Sequence, residues 1–139
     1  MSDVKEKDIE EIINEISQFD EFKEIDIKQL VEPETGYAYK IAEYSYDNDL
    51  KSNQLRKIFD VIKNIEKSDK VWNDKKKEFY MLKPRLAVSV GRKLIPEKVY
   101  DVIIVSMNIV DVGDFEENFK HFVLFFESII AYHKFLGGL

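Results

Sequence analysis

The chain has 139 residues, of which 45% are hydrophobic, and a formal net charge of −6. This length predicts one helical domain over residues 1–139 with a sizeable core, and leaves open whether the acidic region 1–30 is peripheral to it. The absence of cysteine excludes disulfides, thiol catalysis and cysteine-ligated zinc. No secretory signal and no membrane-spanning apolar run are present, so we expect a cytoplasmic protein without membrane contact.

Charge is divided sharply along the chain. Residues 1–50 carry a net charge of −10, residues 51–100 a net of +8, and residues 101–139 a net of −4. The chain's three arginines all lie in the basic middle third, at Arg56, Arg85 and Arg92. Because the arginine fork grips phosphate through two hydrogen bonds, this third is a candidate phosphate-binding surface. For the lysine runs alone, solvated helix faces are the simpler explanation.

The spacing of apolar residues predicts an all-α fold, a compact bundle of five to six helices. A first helix is predicted from a cap at Ser2 to Phe19, followed by a loop over residues 20–28. Pro33 suits the first turn of a second helix, which residues 47–49 end. Ser52 is predicted to cap a third helix with an apolar stripe of Leu55, Ile58, Phe59, Ile62 and Ile65.

The third helix is also predicted to carry basic side chains beside its apolar stripe. At 100° per residue, Arg56, Lys63 and Lys67 share one face, which only Asp60 interrupts. The sequence therefore predicts a basic ridge next to a packed face.

In residues 72–93, Pro84 predicts a kink or a fresh helix start. Arg85 and Arg92 are seven residues apart, which places them on the same side of a helix. Gly91 lies within this helix at a cost near 1 kcal/mol relative to alanine. Close approach of another backbone explains such a glycine, and we expect a packed helix there rather than a ligand.

The last two helices are predicted to be largely buried. Residues 97–112 favour a strand by propensity, but their apolar positions fit a helical face and no partner strand is evident. Asp114 is predicted to cap a long helix from Phe115 to Leu136, which Gly137-Gly138 ends. Its main apolar face comprises Phe115, Phe119, Phe122, Phe126 and Ile129. Leu124 and Phe135 lie on the opposite side, which predicts either a sandwiched helix or an interface.

The sequence offers few groups for catalysis. His121 and His133 are predicted to lie too far apart on one helix to share a metal ion, and His133 fits a core histidine best. Phosphate-loop, nucleophile-elbow and zinc-protease patterns are absent. We therefore expect a protein that is not an enzyme, with no catalytic residue, metal or cofactor. Trp72, Tyr80 and Tyr132 are candidates for stacking on bases, although burial is the default for aromatic residues.

Three stretches together resemble the small subunit of the type III-A CRISPR effector complex. They are SNQLRK at 52–57, LKPRLA at 82–87 followed by Gly91-Arg92, and AYHKFLGG at 131–138. The resemblance covers about residues 50–139 and rests on the order and spacing of the three stretches. It implies an all-helical, non-catalytic protein.

The resemblance further implies a role in antiviral defence, in which the subunit holds target RNA paired to the guide. Its partners would be the target and guide RNA duplex, other subunits of the complex and copies of itself. The candidate RNA contacts that fall within the motifs are Arg56, Lys57, Lys83, Arg85, Arg92, Lys93 and Lys134.

Two other functions stay open at this point. One is a helical protein-interaction module whose basic face docks an acidic protein partner. The other is a DNA-binding regulator, although no convincing helix-turn-helix with a polar recognition helix is present.

Overall fold

The computed structural model describes residues 6–48, 50 and 52–137, and these residues form helices and turns with no strand among them. Seven of the helices have nine residues or more. A 3-10 turn at Phe22–Glu24 follows the first helix. The α-helices are α1 (Glu6–Ser17), α2 (Ile27–Val31), α3 (Tyr37–Asp47), α4 (Ser52–Lys67), α5 (Trp72–Tyr80), α6 (Leu82–Gly91), α7 (Glu97–Val110) and α8 (Phe115–Phe135).

The all-α class is confirmed, but the prediction of five to six helices is too low, partly because residues 72–93 form two helices. Met81 is both the C-cap of α5 and the N-cap of α6. Pro84 is the third residue of α6, where the missing backbone N–H has no intrahelical partner to lose. The fresh helix start that Pro84 predicts is therefore present, two residues earlier than the proline itself.

The segment before α3 also holds more structure than a loop. The Asp26 side chain accepts a hydrogen bond from the Lys28 N–H at 2.9 Å and so caps the five-residue α2. Pro33 lies in the turn between α2 and α3, and the second predicted helix begins at Tyr37, with Gly36 as its N-cap. The prediction that Pro33 lies in the first turn of that helix is therefore wrong. The roles predicted for Ser2, Asp49, Gly138 and the Ser52 side chain lie outside what is described.

The long helix α8 runs through the core and contacts α3, α4, α5 and α7. Asp114 caps it as predicted, accepting a hydrogen bond from the Glu117 N–H at 3.3 Å. Its predicted apolar face is buried throughout, and neighbouring helices also bury further positions around its circumference, namely Val123, Phe125 and Ile130. Leu124 and Phe135 remain 47% and 76% exposed, so α8 is not sandwiched on that side.

The acidic helix α1 packs against α7 and α3. Its residues Ile9, Ile12 and Ile16 are fully buried or nearly so, and its acidic side chains occupy the opposite face. The helix predicted over residues 97–112 is confirmed as α7. It buries the predicted positions, which are Val99, Val102, Ile103, Ser106 and Val110.

A polar network ties the 3-10 turn to the start of α8. The buried Asn118 accepts a hydrogen bond from the Lys23 N–H at 2.8 Å, and its own amide donates to the Val112 carbonyl at 2.8 Å. The Glu21 carboxylate accepts from the Asp114 N–H and the Asn118 amide, and these hydrogen bonds lower its pKa.

Among the described helices, none is both long and apolar enough to cross a bilayer.

Candidate nucleic-acid interface

A groove with an apolar floor lies between α4 and α6. It consists of two hollows of about 450 and 180 Å³, which share Val61, Leu82 and Arg85 as lining residues. We call the smaller hollow, lined by residues of 54–61 and 82–89, the basic end of the groove. The larger hollow extends from there toward the start of α5.

The basic end brings together the first two motifs of the sequence. Lys57 and Gln54 line it from α4, and Arg85 and Ser89 line it from α6. Lys57 and Arg85 are exposed, and within the described part of the chain neither forms an ion pair. No carboxylate lines this end. Two positive charges without a paired carboxylate therefore lie beside an apolar floor. This arrangement suits a ligand that carries an anionic group next to an apolar part.

The far end of the groove is electrically balanced. Lys70 and Glu78 both line the larger hollow and form an ion pair with each other. The hydrogen bond to the Glu78 carboxylate raises the pKa of Lys70. Positive charge available to a ligand is therefore concentrated at Lys57 and Arg85.

The basic ridge predicted on α4 is only partly present. Lys63 is taken up by an ion pair with Glu66 one turn along the helix, and the hydrogen bond to this carboxylate raises the pKa of Lys63. Arg56 and Lys67 are exposed and carry no ion pair among the described residues, while Asp60 is exposed between them. The sequence pattern identified the face correctly but missed the intrahelical partner.

Arg92 and Lys93 lie at the end of α6. The Leu94 N–H bonds to the Ser89 carbonyl at 2.9 Å and the Lys93 N–H bonds to the Val90 carbonyl at 2.9 Å, which is a Schellman ending. Lys93 holds the left-handed position of this ending, with a φ of 61°. Arg92 is the C-cap, so it lies just beyond the helix that was predicted to contain it.

The predicted reason for Gly91 is wrong. Gly91 is exposed, and a Cβ added there meets no atom within 4 Å. No helix of the described fold approaches it closely. The sequence could not reveal that Gly91 is exposed. A glycine within a helix permits close approach of another backbone, but it does not show whether a neighbour is present.

Lys83 and Lys134 do not line the groove. The Lys83 ammonium donates to the Asn108 side chain at 3.1 Å and lies 5.1 Å from the centre of the Tyr80 ring, on the edge of α6 that faces α7. Lys134 is exposed in the last turn of α8. The structure therefore places these two motif residues apart from Lys57 and Arg85.

The third motif mainly holds the fold together. The Tyr132 hydroxyl donates to the Val31 carbonyl, and His133 Nε2 donates to the Leu50 carbonyl at 2.8 Å. His133 is buried as predicted, and this burial lowers its pKa. Both residues anchor the end of α8 against the segments that precede α3 and α4.

Of the three aromatic candidates for base stacking, only Tyr80 is exposed. The Trp72 ring lies 6.0 and 6.1 Å from the rings of Phe115 and Phe119 and packs against the core. Tyr132 is half-buried against Tyr39. No group of three or more His, Asp or Glu side chains within the described ranges is arranged to hold a metal ion.

Gln54 and Ser89 are site residues that the sequence reasoning missed. Gln54 lies three residues before Lys57 and Ser89 lies four residues after Arg85, so each shares a helix face with a predicted contact. Helical spacing from the motif cations was the signal that could have identified them.

Comparison with protein families gives a match over most of the chain. A family model described as Csm2 Type III-A matches residues 24–138, which include all three motifs. The chain belongs to the Csm2 family. Csm2 proteins are the small structural subunits of the type III-A CRISPR effector complex. The match begins at residue 24, well before the first motif. Comparison with curated proteins and with solved structures finds no match.

Proposed function

We propose that this Csm2 chain is a non-catalytic RNA-binding subunit that holds target RNA paired to the guide during antiviral defence. In this proposal the groove between α4 and α6 receives the sugar-phosphate backbone. The observation that carries the proposal is the meeting of Lys57 and Arg85, from two separate motifs, at one basic end without carboxylate partners.

The chemistry of the groove suits a strand of any sequence. Contacts to phosphate position a nucleic acid without reading its bases. Arg85 offers a planar fork for two phosphate oxygens, and Lys57 adds a point charge opposite it. Val61, Leu82 and Leu86 provide an apolar floor that the sugars can contact. A complex that accepts any target complementary to its guide needs this type of binding.

The other motif cations supplement the central pair to different degrees. Arg56 is exposed next to Lys57 on α4, and Arg92 and Lys93 follow Ser89 beyond the end of the groove. These three residues enlarge the basic surface at the basic end of the groove, where the start of α4 lies beside the end of α6. Lys83 and Lys134 are candidates only by position in the motifs, and we expect smaller effects from them.

The proposal is tested in the reconstituted, guide-loaded effector complex. Arg56, Arg85 and Arg92 are replaced together by alanine, and retention of a complementary target RNA is measured at fixed salt. We expect weaker retention with an unchanged circular dichroism spectrum, because all three side chains are exposed. The matched control replaces three exposed or half-exposed lysines elsewhere, at Lys7, Lys28 and Lys40.

The control removes the same amount of positive charge from surfaces outside the groove. It should retain target RNA nearly as well as the wild type. Equal losses in both triple variants would indicate a general charge effect and contradict a specific groove. Full retention by the folded arginine variant would contradict RNA binding at this surface.

A further inference from the structure

The basic end of the groove carries two neutral polar side chains beside its two cations. Gln54 of α4 and Ser89 of α6 line the same hollow as Lys57 and Arg85. The polar residue and the cation are three residues apart on α4 and four apart on α6, which is roughly 4.5 Å and roughly 6 Å along the helix axes. Each helix therefore presents a cation and a neutral hydrogen-bonding group at a separation that the phosphate and sugar of one nucleotide can span.

The hydroxyl of Ser89 has its donor already engaged. Ser89 Oγ donates to the Arg85 carbonyl oxygen at 3.2 Å, one turn earlier in α6. What remains on this oxygen is its capacity to accept a hydrogen bond. A backbone phosphate is a phosphodiester anion and offers acceptors only, so it has no donor for Ser89 in this geometry. A hydroxyl of the ligand has one.

Gln54 is half-buried and lines the hollow from the other helix. Its side chain forms no hydrogen bond with any other residue that the structure describes. A carboxamide has two N–H donors and one carbonyl acceptor. The donors can serve phosphate, as those of Lys57 and Arg85 do, but the carbonyl oxygen needs a donor from the ligand.

The 2′-hydroxyl of ribose supplies what both side chains lack. It donates as well as accepts, and it is the group by which a protein distinguishes RNA from DNA. A paired A-form strand still displays its 2′-hydroxyls in the wide, shallow minor groove. We propose that Gln54 and Ser89 bind 2′-hydroxyls of the strand whose phosphates Lys57 and Arg85 hold, so that the basic end selects RNA over DNA.

The inference rests on the proposed function and adds to it a preference for the sugar. Contacts to phosphate alone do not provide this preference, because RNA and DNA share the same phosphodiester. The contact still reads no base, so a strand of any sequence is accepted.

The test compares a target RNA with the same sequence in which fluorine replaces every 2′-hydroxyl. Fluorine keeps the sugar pucker of RNA and removes the hydroxyl donor. The affinity of the guide-loaded complex for each target is measured by filter binding with wild-type protein, with Gln54→Met and with Ser89→Ala. Any change in pairing with the guide is the same for all proteins and cancels when their affinity ratios are compared.

Each variant should reduce the preference for RNA over the fluorinated target. We expect a reduction of about two- to tenfold for each copy of the subunit that contacts RNA, the value of one hydrogen bond. Methionine and alanine are good helix formers, so both variants should keep the melting temperature of the wild type within a few degrees.

Two residues outside the groove provide matched controls. Ser128 Oγ makes the same kind of bond as Ser89, to the Leu124 carbonyl four residues earlier at 2.8 Å, and it lines neither hollow. Gln29 is exposed on α2 and also lines neither hollow. Ser128→Ala and Gln29→Met should keep the wild-type preference for RNA.

An unchanged preference in both folded groove variants overturns the inference, and an unchanged preference in one removes that residue from it. Equal losses of affinity for the two targets also overturn it, because they would assign these side chains to phosphate. Failure of the proposed function looks different. Lys57→Ala together with Arg85→Ala would then leave the affinity for both targets unchanged.

Discussion

Lys57 of α4 and Arg85 of α6 line the same hollow, and no carboxylate of the described chain neutralises either of them. Two like charges beside one groove repel each other weakly when the groove is empty. The same two charges attract a phosphate placed between them. Reversing one of the two charges should therefore stabilise the fold and weaken phosphate binding, which allows the site to be tested with a single substitution.

Replacing Lys57 with glutamate places a carboxylate in the hollow that Arg85 lines. We expect the free energy of unfolding to rise by about 0.2–1 kcal/mol, the value of an exposed ion pair. Target-RNA retention should fall further than with Lys57→Ala, because repulsion of phosphate is added to the loss of a cation. Urea denaturation and retention by the assembled complex measure the two effects. RNA retention equal to that of the wild type would refute a role for Lys57.

Lys93 occupies a backbone conformation that favours glycine, with a φ of 61°. Lys93→Gly should therefore raise the free energy of unfolding by about 1 kcal/mol. Lys93→Ala is the matched control. It retains a Cβ in the left-handed conformation, so the free energy of unfolding should not rise. Denaturant melts of the three proteins test this prediction. Equal stabilities of the glycine and alanine variants would argue against the left-handed geometry.

Asn118 is fully buried and satisfies three groups, the Lys23 N–H, the Val112 carbonyl and the Glu21 carboxylate. Asn118→Ala should lower the free energy of unfolding by about 2–4 kcal/mol, because it leaves buried backbone groups without partners. Asn108→Ala is the control, since Asn108 is exposed and, among the described residues, its side chain bonds only to Lys83. It should change stability by less than about 0.5 kcal/mol. Similar losses in both variants would count against the buried network.

Burial lowers the pKa of His133 below its usual value of 6.5. Below that pH the unfolded chain therefore takes up a proton that the folded chain does not. Stability is fully present above pH 6.5 and falls as pH decreases toward the folded-state pKa, by at most about 1.4 kcal/mol per pH unit. His133→Gln should flatten the dependence of the free energy of unfolding on pH between pH 7.5 and 5.5. His121→Gln, the control, should leave the wild-type dependence on pH unchanged. An unchanged slope in His133→Gln would assign the dependence to other groups.

Helix class and most helix positions followed from periodicity, because a buried helix face repeats its apolar residues whatever it packs against. Ile9, Ile12 and Ile16 illustrate this, as does the core face of α8. The break at Met81 and the short α2 could not be found in this way. Both depend on where individual backbone hydrogen bonds end, and neither interrupts an apolar stripe.

The candidate site was predicted only as a set of basic residues. Sequence alone could not show that Lys57 and Arg85 share a hollow, since this depends on how α4 and α6 are placed around α5. It also could not show that Lys63 is neutralised or that Lys83 turns toward Asn108.

The salt dependence of target-RNA binding by the guide-loaded complex tests the central claim most directly. Each phosphate contact contributes about 0.7–0.9 to the slope of log K against log salt concentration. For a complex carrying Lys57→Ala together with Arg85→Ala, we predict a weaker affinity and a slope shallower by about 1.4–1.8 for each copy of the subunit that contacts RNA. An affinity and slope equal to those of the wild type, with the double variant folded and incorporated, would contradict RNA binding in the groove between α4 and α6.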